Sequence, residues 1–196
     1  MKSKHLLLVS LFLSLSWLSV KSQNDFYSSF ADSTLTLENE DILYDPSYFS
    51  LDYPNGDVPA GKGVCTDVVI RAYRLFGIDL QLLVHEDMKS NFSVYPQIWG
   101  MNSTDRNIDH RRVPNLMTFF ERNGVKLEIT NDPKDYNPGE IVCWRLEGGM
   151  THIGIIVNRK SNDGQRHLIL HNIGGGQVVE DCLFRFEIIG HYRFKG

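Results

Sequence analysis

Three residues in one order carry the most chemistry in this chain: Cys65 opening a helix-like run in GKGVCTDVVIRAYRLFG, His152 beginning a strand-like run in MTHIGIIV, and His171 ending the next in HLILHN. A thiol is a good nucleophile as thiolate, and a helix N-terminus with a nearby imidazole supplies the positive potential that favours that form. Cys65, His152 and His171 therefore suggest a cysteine hydrolase, with an imidazole beside the thiol and a third group holding that imidazole's tautomer. A thiol activated in this way is expected to alkylate quickly at mildly acidic pH. The plainer alternative is a pair of hydrogen-bonded sheet histidines beside an inert buried thiol.

The elements that must position these groups can be read from the pattern. Val68, Val69, Ala72, Tyr73 and Phe76 follow helical spacing and Gly77 supplies a stop, so residues 66–76 predict a helix that begins at the cysteine. Shorter helices are expected over residues 80–88 and 114–123. Strand-like runs follow at 126–130, 140–146, 151–158, 166–172 and 183–194, separated by turn residues such as Asn137-Pro138-Gly139 and Asp163-Gly164. Counting outward from the Asn162-Asp163-Gly164 turn brings His171 roughly opposite His152, as cross-strand or diagonal neighbours on one face of a hairpin. Helices first and an antiparallel sheet second is an α+β domain.

Composition bounds the class of protein. The 196 residues, 42% hydrophobic and 22% charged, are material for one domain. With a net charge of -4, a pI near 6.0 and no basic run, nucleic acid and anionic membranes are poor partners. Lys2 and Lys4 precede an apolar run from Leu6 to Val20 that is short for a membrane span, and Val20 and Ser22 suit a cleavage site. Residues 1–22 read as a signal peptide, 23–40 as a linker or N-terminal extension, and 41–196 as the catalytic domain. No stable membrane insertion is expected after cleavage, and the protein is expected to be periplasmic or extracellular. Export implies an oxidising compartment, yet there are only three cysteines, so at least one thiol is free. Cys143 and Cys182 are either buried small hydrophobes or, if their strands are neighbours, one disulfide.

Several blocks together, YPNGDVPAGKGVCTDVVIRAYR, NIDHRRVPNLMTFF, THIGIIV, HNIGGG and GHYRF, resemble the domain-of-unknown-function family 1287, and the chain looks like an exported NlpC-like branch of the papain-like cysteine peptidases. That resemblance implies a papain-like core and cleavage of amide bonds in cell-wall peptides. By it, Cys65 matches the nucleophile, His152 the general base and His171 the orienting group, with Asn172 the rival for that third role. Tyr53 is similar in placement to a tyrosine lining the substrate cleft. The common Asp-Cys-Ser-Gly is here Val-Cys-Thr-Asp.

The implied reaction is attack of Cys65 on an amide carbonyl, His152 protonating the leaving amine, and hydrolysis of the thioester by water, with helix-start N–H groups meeting the oxyanion. Asp67 is expected either to cap the helix or to bind a substrate ammonium, and Arg111 and Arg112 either to hold a substrate carboxylate or to form a solvated or salt-bridged approach to the next helix. The substrate partner is thus a peptidoglycan peptide or another cell-envelope amide. Two alternatives are a binding module that has lost catalysis and an acyltransferase. GDVPAGK has Gly63 where a phosphate-binding loop needs Ser or Thr, and His85-Glu86-Asp87 lacks the second histidine of a zinc-protease helix. The sequence therefore offers no convincing metal motif and calls for no cofactor.

Overall fold

A computed structural model of the protein describes residues 26–196; the stretch read as a signal peptide lies outside the described residues. The chain forms a helix over residues 26–34 (α1), a two-residue strand β1 (Leu43–Tyr44), β2 (Lys62–Gly63), and the helices α2 (Cys65–Arg74), α3 (Leu80–Asn91) and α4 (Val113–Asn123). There follow β3 (Val125–Lys126), β4 (Ile141–Arg145), β5 (Thr151–Lys160), β6 (His167–His171), β7 (Val178–Glu180) and β8 (Glu187–Arg193). The expected α+β class is what is found: helices precede a six-stranded sheet, ordered β3-β8-β4-β5-β6-β7, in which every pairing is antiparallel. Among the described residues no helix is long and apolar enough to cross a membrane.

Strand alternation divides the side chains between two cores. Cys143, Ile153, Ile155 and Tyr192 face the helices and pack with Val69, Ile70 and Tyr73 of α2 and Leu116 and Phe120 of α4. Val142, Trp144, Ile156 and Ile169 face the other way, under Tyr136, Cys182 and Leu183. Each fully buried aliphatic or aromatic side chain of this kind contributes about 1.5–3 kcal/mol. Cys143 and Cys182 thus lie on opposite faces of the sheet, and all three cysteines are free and buried, so the optional disulfide does not form.

The segment read as a linker or extension is helical and docked: Phe30 is fully buried, stacked on Phe26 and against Tyr73. Its apolar residues are too sparse for a periodicity signal and gain their order from packing on α2. The last strand is shorter than expected, because residues 183–186 form a turn that buries Leu183 before β8 begins. Strand β7 is only three residues long, at the sheet edge, and covers the start of the strand-like run VVEDCLFRF.

Candidate active site

Cys65 is the first residue of α2, and the turn is made by the carboxylate of Asp67, whose Oδ2 accepts the N–H of Val64 at 2.7 Å. Asp67 does more than cap. Arg111 donates from Nε to Oδ1 (2.9 Å) and from Nη2 to Oδ2 (3.0 Å), a bidentate pair whose two side chains are 2% and 3% exposed. Thr66 donates to the carbonyl of Arg111 (3.2 Å). The Thr-Asp after the cysteine, the departure from Ser-Gly, therefore fastens the Asp109–Arg111 turn onto the start of the nucleophile helix. Of the two roles expected of Asp67 the structure shows the cap, and Asp67 and Arg111 neutralise each other, so neither is left free to grip substrate charge.

The sulfur of Cys65 lies at the end of the sheet. Ile156 donates its N–H toward β4, to Glu140, so by alternation the N–H of Ile153 faces the β6 side, where β6 has already ended at His171. That N–H is directed at Cys65, as are those of Thr66 and of Cys65 itself. Burial nevertheless dominates and pushes the thiol up to about 12, aided by the charge of Asp67 and opposed by the three N–H groups. The resting sulfur is a thiol, contrary to the expectation of a thiolate at acidic pH. Alkylation of Cys65 by iodoacetamide is expected to climb nearly tenfold per pH unit from about pH 6 to 9; a plateau at acidic pH would reveal an ion pair instead.

His152 precedes Ile153 on β5, and its Nε2 lies 2.8 Å from Nδ1 of His171. His171 stands opposite Gly154, one step along from the Ile155–Leu170 pair, so it reaches His152 diagonally on the same face. Gly154 makes room for this: a Cβ there would fall 2.7 Å from Ile169 Cγ2 and 3.1 Å from His171 Cβ. We expect Gly154→Ala to cost about 1–3 kcal/mol by overpacking and to spread the two imidazoles; urea unfolding together with histidine NMR shifts measures both.

Behind His171, Nε2 meets Cys182 Sγ at 3.5 Å and Glu180 Oε2 at 3.6 Å. The Glu180 carboxylate only accepts, and its hydrogen bond favours a proton on His171 Nε2, while burial pushes the Cys182 thiol up to about 12. His171 therefore carries its hydrogen on Nε2, and its Nδ1 accepts from Nε2–H of His152. That leaves His152 Nδ1, the nitrogen nearer the β5 backbone, as a free acceptor.

Burial brings His152 down to about 3, reinforced by His171, and His110 down to about 3, reinforced by Arg111 and Arg74. Burial also lowers His171, which Glu180 partly offsets. All three are neutral when folded. Unfolded, each titrates near its ordinary value of about 6.5. Between that value and about 3 the unfolded chain binds more protons. Stability is thus full above about pH 6.5 and is lost as pH falls toward 3, by up to roughly 1.4 kcal/mol per unit for each histidine. Urea midpoints across that range measure the slope.

A cleft of about 530 Å³ opens beside the sulfur, lined by Cys65, Val64, Tyr44, Trp99, Arg112 and Met150, with Arg111 and Thr151 in its wall. Arg112 stacks over Trp99, 4.2 Å from the ring centre, and pairs with Asp109 at 3.5 Å; it is the cleft's arginine outside the Asp67 pair. Tyr53 does not reach the cleft: its hydroxyl donates to Glu86 and its ring lies against His85. Tyr44 takes the place expected of it, because the parallel pairing of β1 with β2 sets Tyr44 beside Gly63, two residues before the cysteine. Burial raises the Tyr44 phenol, with Cys65 and Asp67 adding to the effect. No local signal marks Tyr44, since the pairing spans a long irregular loop.

Asn172 is turned away from His152. Its Nδ2 donates to the carbonyl of Gly63 (3.4 Å) and its Oδ1 accepts from the N–H of Gly174 (3.0 Å), tying the end of β6 to the strand that leads into Cys65. The orienting position next to His152 is occupied by His171, and the rival role for Asn172 is not supported. A further buried histidine, His191, belongs to a closed ion cluster with Glu140 and Arg193 on the far part of the sheet.

An α+β domain with a helix-start cysteine facing a cleft and a hydrogen-bonded histidine pair on the sheet is the class these observations define. The chain belongs to the family described as a domain of unknown function, DUF1287, whose model matches residues 32–194. It is 47% identical over 175 residues to an uncharacterized protein of Escherichia coli (strain K12), YijF, covering 89% of this chain and 85% of that protein. No solved structure matches the chain.

Proposed function

We propose that the protein is an exported cysteine amidase or peptidase with a papain-like, NlpC-type core that hydrolyses amide bonds in cell-envelope peptides. The observations that carry the reading are the His152–His171 hydrogen bond at the start of β5, the His152 Nδ1 lone pair left unused, and the N–H of the next residue, Ile153, directed at Cys65, which lines the cleft. Because burial disfavours both thiolate and imidazolium, the proton passes from Cys65 to His152 as the sulfur attacks, and ionisation does not precede it. The N–H groups of Cys65 and Thr66 at the helix start receive the oxyanion. His152 then protonates the leaving amine and water cleaves the thioester. Tyr44, Trp99 and Arg112 would hold the peptide, Arg112 by a terminal carboxylate.

A second reading, a cleft that binds wall peptides without cutting them, is favoured by the neutral, buried state of the thiol. A third, acyl transfer, differs only in the acceptor. Incubating the domain from residue 23 onward with purified peptidoglycan, with Cys65→Ala beside it and products identified by mass, separates all three. Fragments that vanish in the variant and carry a new carboxylate support the amidase; fragments joined to an added amine indicate transfer; binding without release in either protein overturns catalysis.

A further inference from the structure

We propose that His171 Nε2, Cys182 Sγ and Glu180 Oε2 form a binding site for a zinc-class divalent cation, and that occupancy of this site switches the histidine pair off. The three donor atoms lie within 4.8 Å of one another. The two His171 distances, 3.5 Å to sulfur and 3.6 Å to oxygen, are close to the edges of a tetrahedron with metal bonds of about 2.0–2.3 Å. One imidazole, one thiolate and one carboxylate are a donor set that zinc and cobalt accept readily, with the fourth position open to water. His171 and Cys182 are buried, while Glu180, at the rim, is partly exposed and supplies the way in. Arg185 holds the same Glu180 oxygen at 2.9 Å, but its side chain is half exposed and can leave for solvent as the cation arrives. The site is absent from the sequence reading because its donors span the β6–β7 hairpin at spacings of nine and two residues, which match no metal motif.

The consequence for the catalytic pair follows from hydrogen-bond direction, and it alone rests on the amidase reading. A cation on His171 Nε2 displaces the proton held there, and the Cys182 thiol gives up its own; both leave to solvent. Neutral His171 must then carry its hydrogen on Nδ1, taken across the hydrogen bond from His152 Nε2. His152 becomes the acceptor at Nε2 and takes a solvent proton at Nδ1. The nitrogen that would receive the Cys65 proton is filled, and one proton is released for each cation bound. Metal binding and hydrolysis are therefore mutually exclusive, with no contact between the cation and Cys65.

The test uses the metal-free folded protein titrated with cobalt(II), which shows a thiolate-to-metal charge-transfer band when sulfur is bound. The expected result is one equivalent per chain with that band present in wild type and in Cys65→Ala. The band should be absent in Cys182→Ser, and affinity should fall at least tenfold in Glu180→Gln, with circular dichroism checking that each variant is folded. If Cys182→Ser fails to fold, X-ray absorption of the wild-type zinc complex must show one sulfur and one imidazole. No band, or a band lost in Cys65→Ala but kept in Cys182→Ser, overturns the site. A separate arm measures zinc inhibition of peptide release, each variant against its own metal-free rate. Inhibition should disappear in Cys182→Ser; cobalt binding with undiminished release overturns the switch, and binding to a protein without activity in any form refutes the amidase reading while leaving the site standing.

Discussion

Asp67→Ala is expected to cost about 3–5 kcal/mol of stability, among the largest losses of any single polar substitution in the chain. Three effects add at that residue. The Arg111 guanidinium, 2% exposed, would keep its charge while losing both hydrogen bonds to the carboxylate. The N–H of Val64 would lose its cap, worth about 1 kcal/mol by itself. The turn over Asp109–Arg111 would then be held to the helix start chiefly by the Thr66 bond. For a domain of this size such a loss lowers the melting temperature by about 2–4 °C per kcal/mol. Urea unfolding of Asp67→Ala, Arg111→Met and the double variant measures the coupling, and the double variant should lose less than the sum because no unpaired charge remains buried. A loss under 1 kcal/mol in Asp67→Ala would mean that water reaches the pair.

His152→Ala is expected to lower peptide release by about 10²–10⁴-fold, the range of a positioned general acid–base, with little change in substrate affinity. His171→Ala should lower it less, because the remaining imidazole keeps its basicity while losing its tautomeric control. The two losses should not add, since His171 acts through the 2.8 Å contact with His152. His171→Gln, which can still accept a hydrogen bond from His152, should recover part of the rate, whereas a purely structural His171 would be rescued by any residue that fills the space. Measuring kcat and KM separately for the three variants decides between them.

The nucleophile helix and the order of the two histidines were legible because each depends on local pattern: a 3.6-residue period after Cys65, and a hairpin whose turn residues nearly set the register. The choice between a cross-strand and a diagonal pair was not, since a bulge between Ile156 and Lys160 shifts the count; His171 stands opposite Gly154 and is diagonal to His152. For the charged residues near the site the alternatives were legible and the choice between them was not: Asp67 could cap or bind an ammonium and Arg111 could be salt-bridged or hold a carboxylate, and only the fold, joining positions 44 residues apart, makes them one neutral pair. Tyr53 was favoured by its place in the loop before the cysteine, while the β1–β2 pairing that brings Tyr44 to the cleft is two residues long and leaves no periodic trace. Likewise the Glu180 and Cys182 side chains reach His171 only through the pairing of β6 with β7, which the run VVEDCLFRF does not reveal by itself.

The central claim is that Cys65, and neither of the other two buried thiols, becomes acylated by a cell-envelope peptide. Its most direct test is acid-quenched mass spectrometry of the protein mixed with a peptidoglycan peptide, followed by digestion to locate any adduct. The account predicts a thioester on the peptide containing Cys65, formed by wild type and slowed in His152→Ala, with Cys143 and Cys182 unmodified. Peptide release that continues undiminished in Cys65→Ala, with no adduct on Cys65 at any time point, would contradict it.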